Sequence, residues 1–165
     1  MTTDGRAAEV ELRRAVVEDA PAIAEIWYLG WRDGHIGFVP EELMAARHED
    51  SFYTRAAQRL NDTTVAVIGE DIAGFVMVVG DEVEQVYVSA PHRGSGVADV
   101  LLTDAERQIR EAGYSIAWLA VVAGNARARR FYERRGWSDE GPFDHSAEGE
   151  DGPISVPAHR YVKNL

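Results

Sequence analysis

Apolar and polar residues alternate over Val10-Glu-Leu-Arg-Arg-Ala15, the period of a half-buried strand. The spacing then changes: within Glu18 to Tyr28, Ile23, Ile26 and Trp27 fall on one helical face, with Asp19 placed as N-cap and Pro21 in the first turn. Gly30 to Pro40 mixes glycines with Trp31, His35, Ile36 and Phe38 and predicts a loop or broken helix, after which Glu41 to Leu60 is again helical in composition. Thr63 to Ile68 and Ala73 to Val79 are β-rich runs joined by Gly69-Glu-Asp-Ile72, a hairpin signal, and a third strand covers Glu82 to Ser89. From Gly96 to Ala112, Val97, Val100, Leu101, Ala105 and Ile109 make one apolar face, and Gly113 closes the helix. Ser115 to Val122 is a nearly continuous apolar run, expected to be buried on both faces. A short helix, Asn125 to Arg135, ends at Gly136. The segment 138–153 is polar and glycine-rich and predicts a mobile loop, followed by a last strand at Ile154-Ser-Val or, in preference, His159-Arg-Tyr-Val162.

Strand 82–89, helix 96–112 and strand 115–122 form a crossover unit, so those two strands should be parallel neighbours. The other strands pair as antiparallel neighbours. The fold class is therefore α/β of the α+β kind, a mixed and mostly antiparallel sheet of six or seven strands flanked by about four helices. One domain over 1–165 is expected, with 1–8 a disordered tail.

Between the third strand and its helix lies Arg93-Gly-Ser-Gly-Val-Ala98. A helix N-terminus leaves backbone N–H groups unpaired, and glycines let a ligand come close to them, so an anionic ligand fits here. A dinucleotide fingerprint would need glycine where Asp99 stands, and no Gly-Lys-Ser/Thr of a Walker A loop follows.

The net charge is −11 over 165 residues, yet residues 91–136 carry eight arginines against five acids. This balance disfavours nucleic acid across the whole surface and allows a small anion in the basic segment. With no cysteine, disulfides, thiolate nucleophiles and cysteine-bound metal are excluded. The five histidines lack metal-ligand spacing, so no metal is expected, and each reads as a surface or loop residue. The polar N-terminus, and the lack of an apolar run near the roughly 20 residues a span needs, predict a cytoplasmic protein with no membrane association.

About thirty residues after the glycine turn stands Asn125-Ala-Arg-Ala-Arg-Arg-Phe-Tyr-Glu-Arg-Arg-Gly-Trp137. Together the two segments resemble the GNAT superfamily of N-acetyltransferases. Arg93, Gly96 and Ala98 match its Q/R-x-x-G-x-G/A pattern, and Asn125, Ala128, Phe131, Tyr132, Gly136 and Trp137 match its downstream one. The resemblance runs over roughly 9–165 and implies a V-splayed sheet and acetyl-CoA as co-substrate. It implies that the amides of Arg93, Gly94, Ser95, Gly96, Val97 and Ala98 cradle the pyrophosphate. Backbone near Val86, Tyr87 and Val88 would pair with pantetheine, and Asn125, which also suits a helix N-cap, would bond the same arm. Ala128 and Phe131 would complete the cofactor wall.

The resemblance further implies Tyr132 as general acid to the departing thiolate, through a hydroxyl able to give a proton within hydrogen-bond reach. Glu82 stands eleven residues before Arg93, the spacing of the glutamate base in the histone acetyltransferase branch, with Glu84, two residues on, facing the same side of the strand. Where the branch acetylating protein N-termini has a glutamate, this chain has Ala120. A solvated amine needing no dedicated base stays open.

The first helical loop and the last strand border the acceptor pocket in this superfamily, which singles out His35 and His159. Trp27 to Leu43 looks like an aromatic wall of that pocket or a part of the core. Segment 138–151 holds Asp139, Glu140, Asp144, Glu148, Glu150 and Asp151 and no basic residue. Such a loop would steer a cationic amine. The implied reaction is direct acetyl transfer to a primary amine of a small, cationic molecule or a peptide in a ternary complex. The alternatives are an acyl-CoA sensor without turnover and transfer of a different acyl group. A homodimer is also open.

Overall fold

The computed structural model describes residues 9–149 and 151–165. The N-terminal segment 1–8 read as a tail lies outside the described residues. Seven strands form one sheet in the order β1-β2-β3-β4-β5-β7-β6. Strands β1 (Glu11–Arg14), β2 (Thr63–Ile68), β3 (Asp71–Val79) and β4 (Glu82–Val88) are successive antiparallel neighbours. β4 meets β5 (Ile116–Val122) in parallel, and β5, β7 (Gly152–Asn164) and β6 (Ser138–Gly149) continue antiparallel.

Helices α1 (Ala20–His35), α2 (Glu41–Ala46) and α3 (Glu49–Gln58) cover one face of the sheet. There Trp27 meets Phe52 and Phe75 edge-on at 5.5 and 5.9 Å. Helices α4 (Val97–Glu111) and α5 (Ala126–Arg134) cover the other. On α4 the buried stripe is Val97, Leu101, Leu102, Ala105 and Ile109; Leu102 takes the place predicted for Val100, which is exposed. On β5, Trp118 and Ala120 are only half-buried, so the strand is not covered on both faces throughout.

Several local expectations are corrected. α1 does not break at Gly30 but runs on to His35. Glycine costs a helix about 1 kcal/mol against alanine, but here it permits contact. A Cβ on Gly30 would lie 2.4 Å from the Tyr87 ring, and one on Gly34 would lie 2.9 Å from Asn125 Nδ2. The helix predicted from Glu41 to Leu60 is divided at Arg47-His48 into α2 and α3. Asp19 precedes α1 but caps nothing in it; its carboxylate receives Val16 N–H at 2.9 Å and the Arg13 guanidinium at 2.7 and 3.0 Å. Pro21 lies in the first turn as expected.

The largest correction is the acidic segment. It is β6, paired along its length with a single long β7 that contains both candidate last strands. Asp144, Ser146 and Glu148 are exposed while Phe143, His145 and Ala147 are half-buried, which is the period of a strand.

Candidate active site

The sheet opens between β4 and β5. Their parallel register consists of Glu82 opposite Trp118 alone, with Trp118 N–H donating to Asp81 O at 3.0 Å. Beyond that pair the strands diverge, and the β4 edge from Val86 to Val88 lines a continuous cleft of about 1510 Å³ that passes between the two faces of the sheet. β4 also carries a bulge. Val78 faces Val83 while Met77 faces Gln85, which leaves Glu84 as the extra residue. The bulge resets the alternation, so Val83, Val86 and Val88 all join the α4 side although the first is odd-numbered and the other two even.

One lobe of the cleft is built on the turn before α4. Ser89 to Arg93 make a tight turn, and Gly94 and Gly96 follow with φ of 79° and 87°, a left-handed region open to glycine. A Cβ at either glycine would meet nothing within 4 Å. Arg93 N–H donates to Ala90 O at 3.3 Å and Ser95 N–H to His92 O at 3.4 Å, and α4 bonding begins with Val100 N–H to Gly96 O at 3.2 Å. The N–H groups of Gly94, Gly96, Val97, Ala98 and Asp99 donate to no carbonyl among the described residues, and all five residues line the cleft. Unpaired amides with open space beside two glycines suit a diphosphate, and the helix dipole adds to the attraction. Arg93 reaches across the opening to Asp33 of α1, Nη2 to Oδ2 3.1 Å. Ser95 turns away: its hydroxyl donates to His92 O, and it does not line the cleft.

α5 forms the opposite wall. Asn125 caps it, its Oδ1 accepting Ala128 N–H at 3.2 Å. Ala128, Phe131 and Tyr132 line the cleft with Asn125. Tyr132 is buried, edge-on to Phe131 and Trp137 at ring distances of 5.2 and 6.2 Å. Burial pushes its phenol well above the usual tyrosine range, so it stays protonated through neutral and alkaline pH. Arg127, Arg130 and Arg134 also line this wall, as does Arg135, whose Nη2 lies 2.7 Å from Asp99 Oδ2.

The other lobe lies between α1, α2, α3 and β6, where Trp31, His35, Leu43, Arg47, Arg55, Glu82, Glu84, His145 and Glu148 meet. The two candidate bases differ. Glu84 is gripped by Arg59 in a two-pronged pair, Nη1 to Oε1 2.7 Å and Nη2 to Oε2 2.9 Å. Glu82 has no such partner among the described residues; burial first, and then Glu84 and Asp81, raise its pKa to about 7. His35 stacks on Trp31 at 4.5 Å, and its Nδ1 donates to Trp31 O at 2.8 Å. That bond leaves Nε2 as the bare nitrogen of a ring that burial keeps neutral, with a pKa lowered to about 4.

His159 is outside this lobe. It is held by Asp139 at 2.9 Å beside Arg129 and does not line the cleft, because β7 turns it toward α5. His145, read from sequence as a surface or loop residue, lies on β6 and lines the lobe. Arg47, Arg55 and Arg59 carried no sequence motif; only the break between α2 and α3 and the packing of α3 bring them to the cleft.

Residues 21–137 match the model of the Acetyltransferase (GNAT) family. The chain belongs to that family of acyltransferases. Solved structures share its fold end to end. A GCN5-related N-acetyltransferase from Rhodopseudomonas palustris is similar at 22% identity and TM-score 0.74, covering 97% of this chain and 98% of its own. A putative acetyltransferase, yncA, from Salmonella typhimurium, solved with its cofactor acetyl-CoA, is 18% identical at TM-score 0.68, over 95% and 94% of the two chains. The paiA N-acetyltransferase from Thermoplasma acidophilum, in complex with coenzyme A, is 17% identical at TM-score 0.66, over 95% and 99%. Among the described residues no helix is long and apolar enough to cross a membrane.

Proposed function

We propose that this protein transfers an acetyl group from acetyl-CoA to a primary amine by direct attack in a ternary complex. The observation that carries the reading is the coincidence, at one parting of β4 and β5, of five unpaired amides, a buried protonated Tyr132 and an unpaired Glu82. Acetyl-CoA in the yncA structure and coenzyme A in the paiA structure support the cofactor. Bound acetyl-CoA supplies an activated acetyl thioester.

Gly94, Gly96, Val97 and Ala98 hold the pyrophosphate through their N–H groups, and Arg93 supplies charge beside it. The free edge of β4 at Val86, Tyr87 and Val88 pairs with the pantetheine amides, and the side chains of Asn125, Ala128 and Phe131 wall the arm. The amine arrives mostly protonated. Glu82, poised near pH 7, takes its proton and leaves a nitrogen lone pair free to attack the thioester carbonyl. Glu84, held in place by Arg59, raises the proton affinity of Glu82 through its negative charge, and Arg59 offsets part of that effect. Tyr132 gives its phenolic proton to the departing sulfur. With no cysteine in the chain, the acetyl group has no thiol on which to pause.

Release of free CoA with a panel of amines tests the reading, beside calorimetric titration with CoA. Tyr132→Phe should lower kcat about a hundredfold or more while leaving the CoA Kd within a factor of about two. Equal turnover in Tyr132→Phe would remove it as the acid, and absence of CoA binding at millimolar concentration would remove the cofactor.

A further inference from the structure

Two arginines in the acceptor lobe have guanidinium groups without a hydrogen-bond acceptor among the described residues. Arg47 ends α2, is 9% exposed and lines the cleft. Arg55, on α3, lies over the Trp27 ring at 4.4 Å and near Phe52 at 5.8 Å. Stacking fixes the plane of a guanidinium but engages none of its N–H donors. Among the described residues neither guanidinium donates a hydrogen bond or has a carboxylate within 4.0 Å; Arg47 bonds only through its backbone N–H, to Leu43 O at 3.0 Å. Arg59 in the same lobe is paired, by contrast, as are Arg13, Arg107 and Arg135 elsewhere in the fold. Glu148, an opposing charge that acts on both, is an exposed residue of β6 that lines the lobe and stands beyond ion-pair distance.

Burial lowers both guanidinium pKa values, that of Arg55 to about 10, so both remain charged at neutral pH. Two half-desolvated cations repelling each other are costly unless an anion joins them. Forked donors suit a planar carboxylate. Of the acids in segment 138–151, Asp139 is taken by Arg129 and His159, Glu140 by Arg160, and Asp144 faces outward; Glu148 lines the lobe, as do Glu82 and Glu84, the last already paired with Arg59.

Building on the acetyltransferase reading above, we propose that Arg47 and Arg55 bind a carboxylate of the acceptor, so that the substrate is an amine bearing a free carboxylate, of the amino-acid class. The carboxylate is held against α2 and α3 while the amine lies toward Glu82 and the β4–β5 opening. The neutral His35 ring and His145 line the space between, offering polar contact without adding positive charge.

The test is a CoA-release assay with acetyl-CoA and three matched sets: the twenty L-α-amino acids as free acids, the same compounds as carboxamides, and the corresponding decarboxylated amines with polyamines. The wild-type protein should prefer a free acid over its amide by about thirtyfold or more in kcat/KM, the scale of a buried charged pair. In Arg47→Gln and Arg55→Gln that ratio should collapse toward one while the CoA Kd holds. A variant with an unchanged ratio, or a wild-type protein that reacts only with amides, decarboxylated amines or polyamines, overturns the proposal. So does a panel in which no free acid reacts. The wild-type comparison needs no variant to fold. CoA titration distinguishes the two readings: a protein that binds CoA and acetylates cationic amines keeps the acetyltransferase reading and loses this one.

Discussion

Glu82 shows how one residue's surroundings set both its chemistry and its cost. Its folded pKa of about 7 lies above the ordinary glutamate value. A base must be unprotonated, so kcat/KM should climb with pH on a limb near 7, and Glu82→Gln should abolish the limb along with most activity. Stability should move the other way. Between about 4.5 and 7 the folded protein holds a proton that the unfolded chain has released, so stability falls as pH rises through that window. Glu82→Gln lacks this loss, and its Tm relative to wild type should be higher at pH 8 than at pH 5. A Tm difference that does not change with pH would show that Glu82 titrates as an ordinary carboxylate. His35 opposes it: neutral when folded down to about pH 4, it contributes stability that is lost as pH drops from 6.5 toward 4.

At the scale of elements, the parts legible in the sequence were those with strong local chemistry. The glycine turn, the amphipathic α4 and the Asn125 cap each announce themselves within a few residues, and together they outlined the cofactor lobe. The acceptor lobe was illegible because its parts are fixed by packing. Gly30 and Gly34 read as helix breakers, yet α1 needs them to approach Tyr87 and Asn125. β6 half-buries only Phe143, His145 and Ala147, too weak an apolar side to outweigh its four acids and two glycines. Arg47 and Arg55 look like any surface arginine until α2, α3 and β6 close round them. The glycine contact is open to measurement. Gly30→Ala adds helix propensity of about 1 kcal/mol, but its Cβ would drive into the Tyr87 ring, an overpacking cost of about 1–3 kcal/mol. Because Tyr87 also lies on the free β4 edge, the substitution should lower Tm by a few degrees and weaken CoA binding. An unchanged Tm and CoA Kd would mean that the ring moves aside freely.

Across the whole molecule the charge is divided in a way that its total of −11 conceals. Arg127, Arg130 and Arg134 fall on one exposed face of α5 at the cofactor lobe, beside Arg93 and Arg135. Of these, Arg93 and Arg135 are partnered by Asp33 and Asp99, whereas the other three have no ion pair among the described residues. A polyanionic cofactor is therefore repelled by most of the surface and attracted to one mouth, which focuses its approach. Salt should weaken that attraction. Raising NaCl from 0.05 to 0.5 M should increase the CoA Kd about tenfold, since the Debye length shrinks below the spacing of such exposed charges. Dephospho-CoA, with fewer charges, should lose less. Replacing Arg127, Arg130 and Arg134 together by glutamine should flatten the dependence for CoA and bring the two ligands together. A triple variant with the wild-type salt response would place the attraction on the backbone amides and Arg93 alone.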